Sequence, residues 1–125
     1  MAKVKRLSVS VENRPGSLAQ VARILADASV NLVALLGSTV GEQGSIQVVV
    51  DNTNKAKKAL DKAGLSYTEG TLEQFELNNK PGTLAELTAK LTKKGINIDS
   101  AWATVPKGAK KAVVLLATSN VATRL

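Results

Sequence analysis

Displaced against itself by 66 residues, the step from Asn13 to Asn79, the chain matches itself over most of its length. Asn13-Arg14-Pro15-Gly16-Ser17-Leu18-Ala19 falls on Asn79-Lys80-Pro81-Gly82-Thr83-Leu84-Ala85. With no gap, Leu25 then meets Leu91, Val30-Asn31-Leu32 meets Ile96-Asn97-Ile98, Val48 meets Val114, and Asn54-x-Ala56 meets Asn120-x-Ala122. Self-similarity at a fixed offset marks a duplicated supersecondary unit. In 125 residues each copy has little apolar surface to bury, so the duplication restricts the chain to two very small domains. Their expected extents are residues 1–70 and 71–125.

Within the first copy Leu7, Val9 and Val11 alternate with Ser8, Ser10 and Glu12, the period of a half-buried strand. Leu18, Val21, Ala22, Leu25 and Ala28 then recur at helical spacing, and Ser17 with Gln20 has the form of a capping box. Residues 31–40 and 45–50 are β-formers separated by Gly41-Glu42-Gln43-Gly44, which predicts a hairpin. Asn54 is placed to cap a short helix carrying Ala56, Ala59, Leu60 and Ala63, closed by Gly64, and a brief strand follows over residues 65–69. The order is βαββαβ. It predicts an α+β, ferredoxin-like fold with two helices on one face of an antiparallel sheet.

The second copy repeats this as a strand at residues 72–77, a helix at 83–94 with Thr83 and Glu86 as its capping box, and a hairpin at 97–105 and 111–118. By the offset, Leu125 corresponds to Ala59, so the second repeat is expected to be truncated after its third strand. That leaves the strand at residues 72–77 as an exposed edge. Natural sheets avoid such edges, and the expectation is a dimer in which a second chain completes the second repeat.

A strand, then Asn13-Arg14-Pro15-Gly16-Ser17-Leu18, an amphipathic helix, Val30-Asn31-Leu32 and a hairpin resembles the ACT domain family, and the same series recurs from Asn79. The resemblance implies a non-catalytic regulatory module that binds an amino acid at the interface between two ACT units. It places the ligand against Asn13, Pro15, Gly16 and Ser17 of one unit and Asn97, Ile98 and Asp99 of the other, with a second site at Asn79, Pro81, Gly82, Thr83, Asn31 and Leu32. The loop has independent physical sense: proline fixes one angle, glycine permits close approach, and a helix N-terminus favours an anion such as a carboxylate. Asp99 standing where the first copy has Val33 makes the two sites inequivalent.

Composition excludes more than it selects. The chain has no His and no Cys, which removes imidazole general bases, thiolate nucleophiles and the commonest metal ligands. Neither catalysis, a metal nor a cofactor is expected. Seventeen Lys and Arg against ten Asp and Glu give a net charge of +7, but the basic residues are dispersed over several elements. RNA-recognition modules share the βαββαβ order and are the alternative reading. They stack bases on aromatic residues of central strands, and here Phe75 is the single candidate. A dedicated regulatory subunit of an amino-acid biosynthetic enzyme, similar to that of acetohydroxyacid synthase, is a further form of the regulatory reading. With no Cys and no long apolar run, the chain is expected in the cytoplasm, away from membranes.

Overall fold

Alternating side chains and helical stripes produce the elements in the anticipated order. The computed structural model describes residues 2–120. They form β1 (Ala2–Glu12), α1 (Ser17–Asp27), β2 (Leu32–Val40), β3 (Gln43–Val50), α2 (Thr53–Lys62), β4 (Tyr67–Asn78), α3 (Thr83–Lys93), β5 (Ile96–Thr104) and β6 (Lys111–Asn120). The pairing of Asn120 with Ala122 against the first copy lies partly outside the described residues, as does the proposed stop near Leu125. Two compact units result: Lys5–Gly70, and residues 71–120 together with residues 2–4.

In the N-terminal unit β3 pairs antiparallel with β1 and β2, setting Leu7 opposite Val48 and Val9 opposite Ile46. Those four residues join Val21 and Leu25 of α1 and Ala56 and Leu60 of α2 in one core, where Val9, Val48, Ala56 and Leu60 are fully buried. The β2–β3 hairpin turns on Gly41-Glu42, with Val40 opposite Gln43 and positive φ at Gly41 alone, the pattern of a type II′ turn. Asn52, two residues earlier than expected, caps α2: its side chain accepts from Lys55 N–H at 3.1 Å. Gly64, with φ of 74°, follows the end of that helix as a left-handed cap.

α2 is tied to the start of β4 by an ion pair from Lys57 to Glu69 at 3.1 Å. A hydrogen bond to Asp61 raises the pKa of the Tyr67 hydroxyl above its ordinary 10.0, with desolvation and the charges of Asp61 and Glu69 adding to it. Because the folded value is the higher one, this contribution to stability is present below about pH 10 and is lost as pH rises through the raised value. Asp61→Asn is expected to bring the phenol back toward its ordinary range. With one tyrosine in the chain, absorbance titration of the phenolate reads it directly.

The C-terminal unit has α3 as its single helix among the described residues. In one of its clusters Leu91, Val114 and Leu116 are buried, with Phe75, Leu77, Leu87, Ile96 and Ile98 half-covered around them, and Leu72, Ala112 and Leu115 are buried as well. Gly95, with φ of 72°, ends the helix as predicted.

Three features differ from the sequence-based expectation. The strands at residues 65–69 and 72–77 are one strand, β4, running through Gly70 in extended conformation. A Cβ at Gly70 would lie 2.8 Å from Nη2 of Arg6, so this glycine serves close packing and not a turn. Next, β4 is hydrogen-bonded to β1 as well as to β6, so the strand that contains 72–77 is not an edge strand along its whole length. β1 and β4 each contribute to both units: residues 67–70 of β4 belong to the N-terminal unit, and residues 2–4 of β1 to the C-terminal one. Finally, the 66-residue register slips in β6. Phe75 faces Val114 where its counterpart Val9 faces Ile46, so β6 runs 68 residues after β3. A slip of two residues preserves which side chains face the core, and the second hairpin absorbs it in a longer loop. The slip makes Asn120 the counterpart of Asn52 and not of Asn54.

Candidate ligand-binding loops

Both Asn-x-Pro-Gly loops leave a strand and open a helix in the same way. Gly16 has φ of 91° and Gly82 of 93°, and each is the N-cap of its helix. These left-handed values are where a side chain is strained. A Cβ built on either glycine would meet nothing within 4 Å, so the space above the loop is open. Gly16 O accepts from Gln20 N–H at 2.9 Å and Gly82 O from Glu86 N–H at 3.0 Å, starting both helices alike.

The capping boxes predicted for Ser17 with Gln20 and Thr83 with Glu86 are absent from α1 and α3, whose N-caps make no side-chain hydrogen bond. With glycine at the cap, the hydroxyls are one residue too far along and turn back to the strand. Ser17 Oγ donates to Glu12 O at 2.7 Å, and Thr83 Oγ1 donates to Asn78 O at 2.9 Å and Lys80 O at 3.2 Å. Ser17 is buried, so its hydroxyl holds the loop in place.

The asparagines act as clamps on the neighbouring hairpin. Asn13 donates its backbone N–H to Glu42 O at 2.8 Å and its side-chain amide to Gly41 O at 2.9 Å. Asn79 does the same to Lys110 O and Ala109 O, both at 2.9 Å. Those acceptors again stand 68 residues apart, so the loop and the slipped hairpin moved together. At the helix N-termini the copies diverge: α1 has no acidic residue in its first turn, whereas α3 carries Glu86 there. The dipole end of α1 thus has no acid in its first turn and that of α3 has one, while Glu12, paired with Arg14 at 2.9 Å, lines the cavity beside the first loop.

The N-terminal unit brings Asn13, Arg14, Ser17 and Leu18 together around a cavity of about 260 Å³. Its far wall comes from Gly37, Ser38 and Thr39 of β2 and from Gly44 and Ser45 of β3, residues that sequence reasoning missed. Two glycines on facing strands were the available signal: by the strand registers their counterparts in the C-terminal unit are Ala103 and Ala112. In that unit Thr83 instead lines a charged groove of about 240 Å³ with Glu76, Glu86, Lys90 and Lys111.

Asn31 and Leu32 lie at the other end of β2 from this cavity, with Leu32 opposite Val50. Asn31 N–H donates to Asp51 Oδ1 at 3.0 Å and its carbonyl accepts from Asp51 N–H at 3.1 Å, fastening the strand entrance. In β5 the Asn97 amide donates to Asp99 Oδ1 at 2.8 Å, and Ser119 Oγ does so at 3.2 Å. Each entrance contains a bulge at the same place. The ladder skips Val33 between Leu32 and Ala34, and Asp99 between Ile98 and Ser100. Bulges re-aim side chains and are frequent beside binding sites.

Residues 2–124 match the model of the ACT domain pair. The chain belongs to that family. Solved structures share its fold: protein BT0572 from Bacteroides thetaiotaomicron is 27% identical, with a TM-score of 0.88 over 97% of this chain and 83% of that one. The ligand-free regulatory subunit of aspartate kinase from Thermus thermophilus, 13% identical, gives 0.68 over 93% and 87%. The corresponding subunit from Thermus flavus, 15% identical, gives 0.59 over 92% and 84%. At those two identities the likeness concerns the fold. Among curated proteins no relative matches the sequence. The ACT assignment leaves the RNA-recognition alternative without its aromatic platform, since Phe75 packs against the core cluster of its own unit. No described helix is long and apolar enough to cross a membrane.

Proposed function

We propose that this ACT pair is a non-catalytic regulatory module that binds an amino acid between ACT units and acts on an enzyme of amino-acid metabolism in the cytoplasm. The ligand carboxylate sits at the loop Asn13, Pro15, Gly16 and Ser17, and its remaining groups meet Asn97, Ile98 and Asp99 of the facing unit. Asn79, Pro81, Gly82 and Thr83 with Asn31 and Leu32 form the second, weaker site. The observation that carries this reading is the left-handed glycine opening a helix under free space, present in both copies. The named relatives that are regulatory subunits of aspartate kinase supply the class of partner.

Binding regulates only if the ligand prefers one arrangement of the module over another. A second copy of the chain belongs to this reading on new grounds. Since β4 also has β1 beside it, the stronger ground is now β2, which exposes Val33, Leu35 and Val40, the last at 85%. Titration calorimetry across the twenty amino acids, with light scattering on the same samples, tests both parts. The expected result is heat from one amino acid or a small related group, on a particle of twice the chain mass. No heat from any of them removes the amino-acid reading, and a 13.1 kDa particle at every concentration removes the dimer.

A further inference from the structure

We propose that the groove between α1 and α2 of the N-terminal unit docks an acidic amphipathic helix of a partner protein. The groove encloses about 570 Å³. Its apolar lining is Ile24, Ala28, Ala59 and Ala63, and the three alanines leave room that longer side chains would fill. Lys55, Lys58 and Lys62 form its rim, spaced three and four residues apart on one side of α2. The single acidic lining residue, Asp27, is engaged by Arg23 at 3.5 Å. On the same helix Lys57 is spent on Glu69, so the basic rim is separate from the contacts that hold α2 to its sheet.

A solubilising helix needs lysines, but not lysines flanking an apolar trough. The trough suits side chains presented at helical spacing, and a helix laid in a groove is a common way for proteins to be recognised. Charge then selects the occupant. None of the three described helices of this chain is net acidic: α2 and α3 are basic, and α1 carries one Arg and one Asp. A second copy therefore offers no complementary helix, and the partner is a different protein. A rim without arginine and an apolar lining without aromatic residues suit neither phosphate forks nor stacked bases. This inference is independent of which ligand the loops take.

The test uses the whole chain and a synthetic helical peptide of about 17 residues, matching the roughly 15 Å that a ten-residue helix spans with a turn to spare at each end. The peptide carries leucines at i, i+3, i+4 and i+7 with glutamates flanking them. A control peptide has lysine at every glutamate. The acidic peptide is expected to shift amide resonances of Ile24, Ala28, Ala59 and Ala63, and to bind at least about 10-fold more tightly than the basic one at low salt. The triple variant K55E/K58E/K62E should abolish that preference, and Ala63→Gln, at an exposed position, should weaken binding with no change of charge. Neither change is expected to alter amino-acid binding. Equal binding of both peptides, wild-type affinity in both variants, resonance shifts confined to other elements, or preference for anionic vesicles or RNA over the peptide would each overturn the proposal.

Discussion

Replacing Leu60 by alanine is expected to destabilise the N-terminal unit by about 2–5 kcal/mol, the usual cost of emptying a fully buried leucine site. Leu60 is 0% exposed and sits where α2 meets the sheet, among Leu7, Val48 and Leu25 of the same cluster. The cavity cannot collapse without moving strands that are fixed by their ladder. For a domain of this size each kcal/mol moves the midpoint by roughly 4–8 °C, so thermal or urea denaturation reads the change easily. Leu87→Ala in the C-terminal unit is the contrasting case. Leu87 is half-covered against a cluster of three buried residues, and its loss should cost about 1 kcal/mol. Similar losses for both variants would mean that the difference between the two cores does not govern stability.

The second large effect concerns the first loop. Gly16→Ala places a side chain at φ of 91°, where an L-residue costs about 1–2 kcal/mol, and puts a methyl group into the space a ligand needs. Amino-acid affinity should fall at least about 10-fold because the methyl occupies the approach, a loss of roughly 1.4 kcal/mol, whereas the strain is present with or without ligand and lowers stability instead. Gly16→Asn separates the two causes. Asparagine tolerates the left-handed region, so stability should largely return while binding stays weak, because its Cβ still fills the approach. Binding restored along with stability would show that the glycine serves only the turn. The matching Gly82→Ala change should affect binding less, because Glu86 already places a negative charge in the first turn of α3.

Much of this architecture is legible in the sequence because the signals are local. Alternation through Leu7, Val9 and Val11, the stripe of Leu18, Val21 and Leu25, and the glycines that close α2 and α3 each act within a few residues. The failures are non-local. Whether residues 65–77 make two strands or one depends on Arg6 crossing Gly70, a contact that composition does not announce. The ungapped match hid the slip of β6, because moving a strand by two residues leaves its alternation intact. The capping boxes failed for a related reason: the motif is recognised by spacing, and the left-handed Gly16 and Gly82 took the cap position themselves. Within the candidate site, Asn13 and Ser17 were found by repetition, while the cavity wall at Gly37 and Gly44 came from a strand pairing invisible until the register was known.

The paired bulges fall where the two copies carry different chemistry. A residue in the regular ladder cannot change character freely, since its neighbours on the same face constrain it. Val33 and Asp99 stand outside that bookkeeping. One is an exposed apolar side chain and the other a carboxylate holding Asn97 and Ser119. Each half therefore holds one strand position at which a side chain can be exchanged without disturbing the ladder on either side, and a substitution there tests chemistry apart from fold.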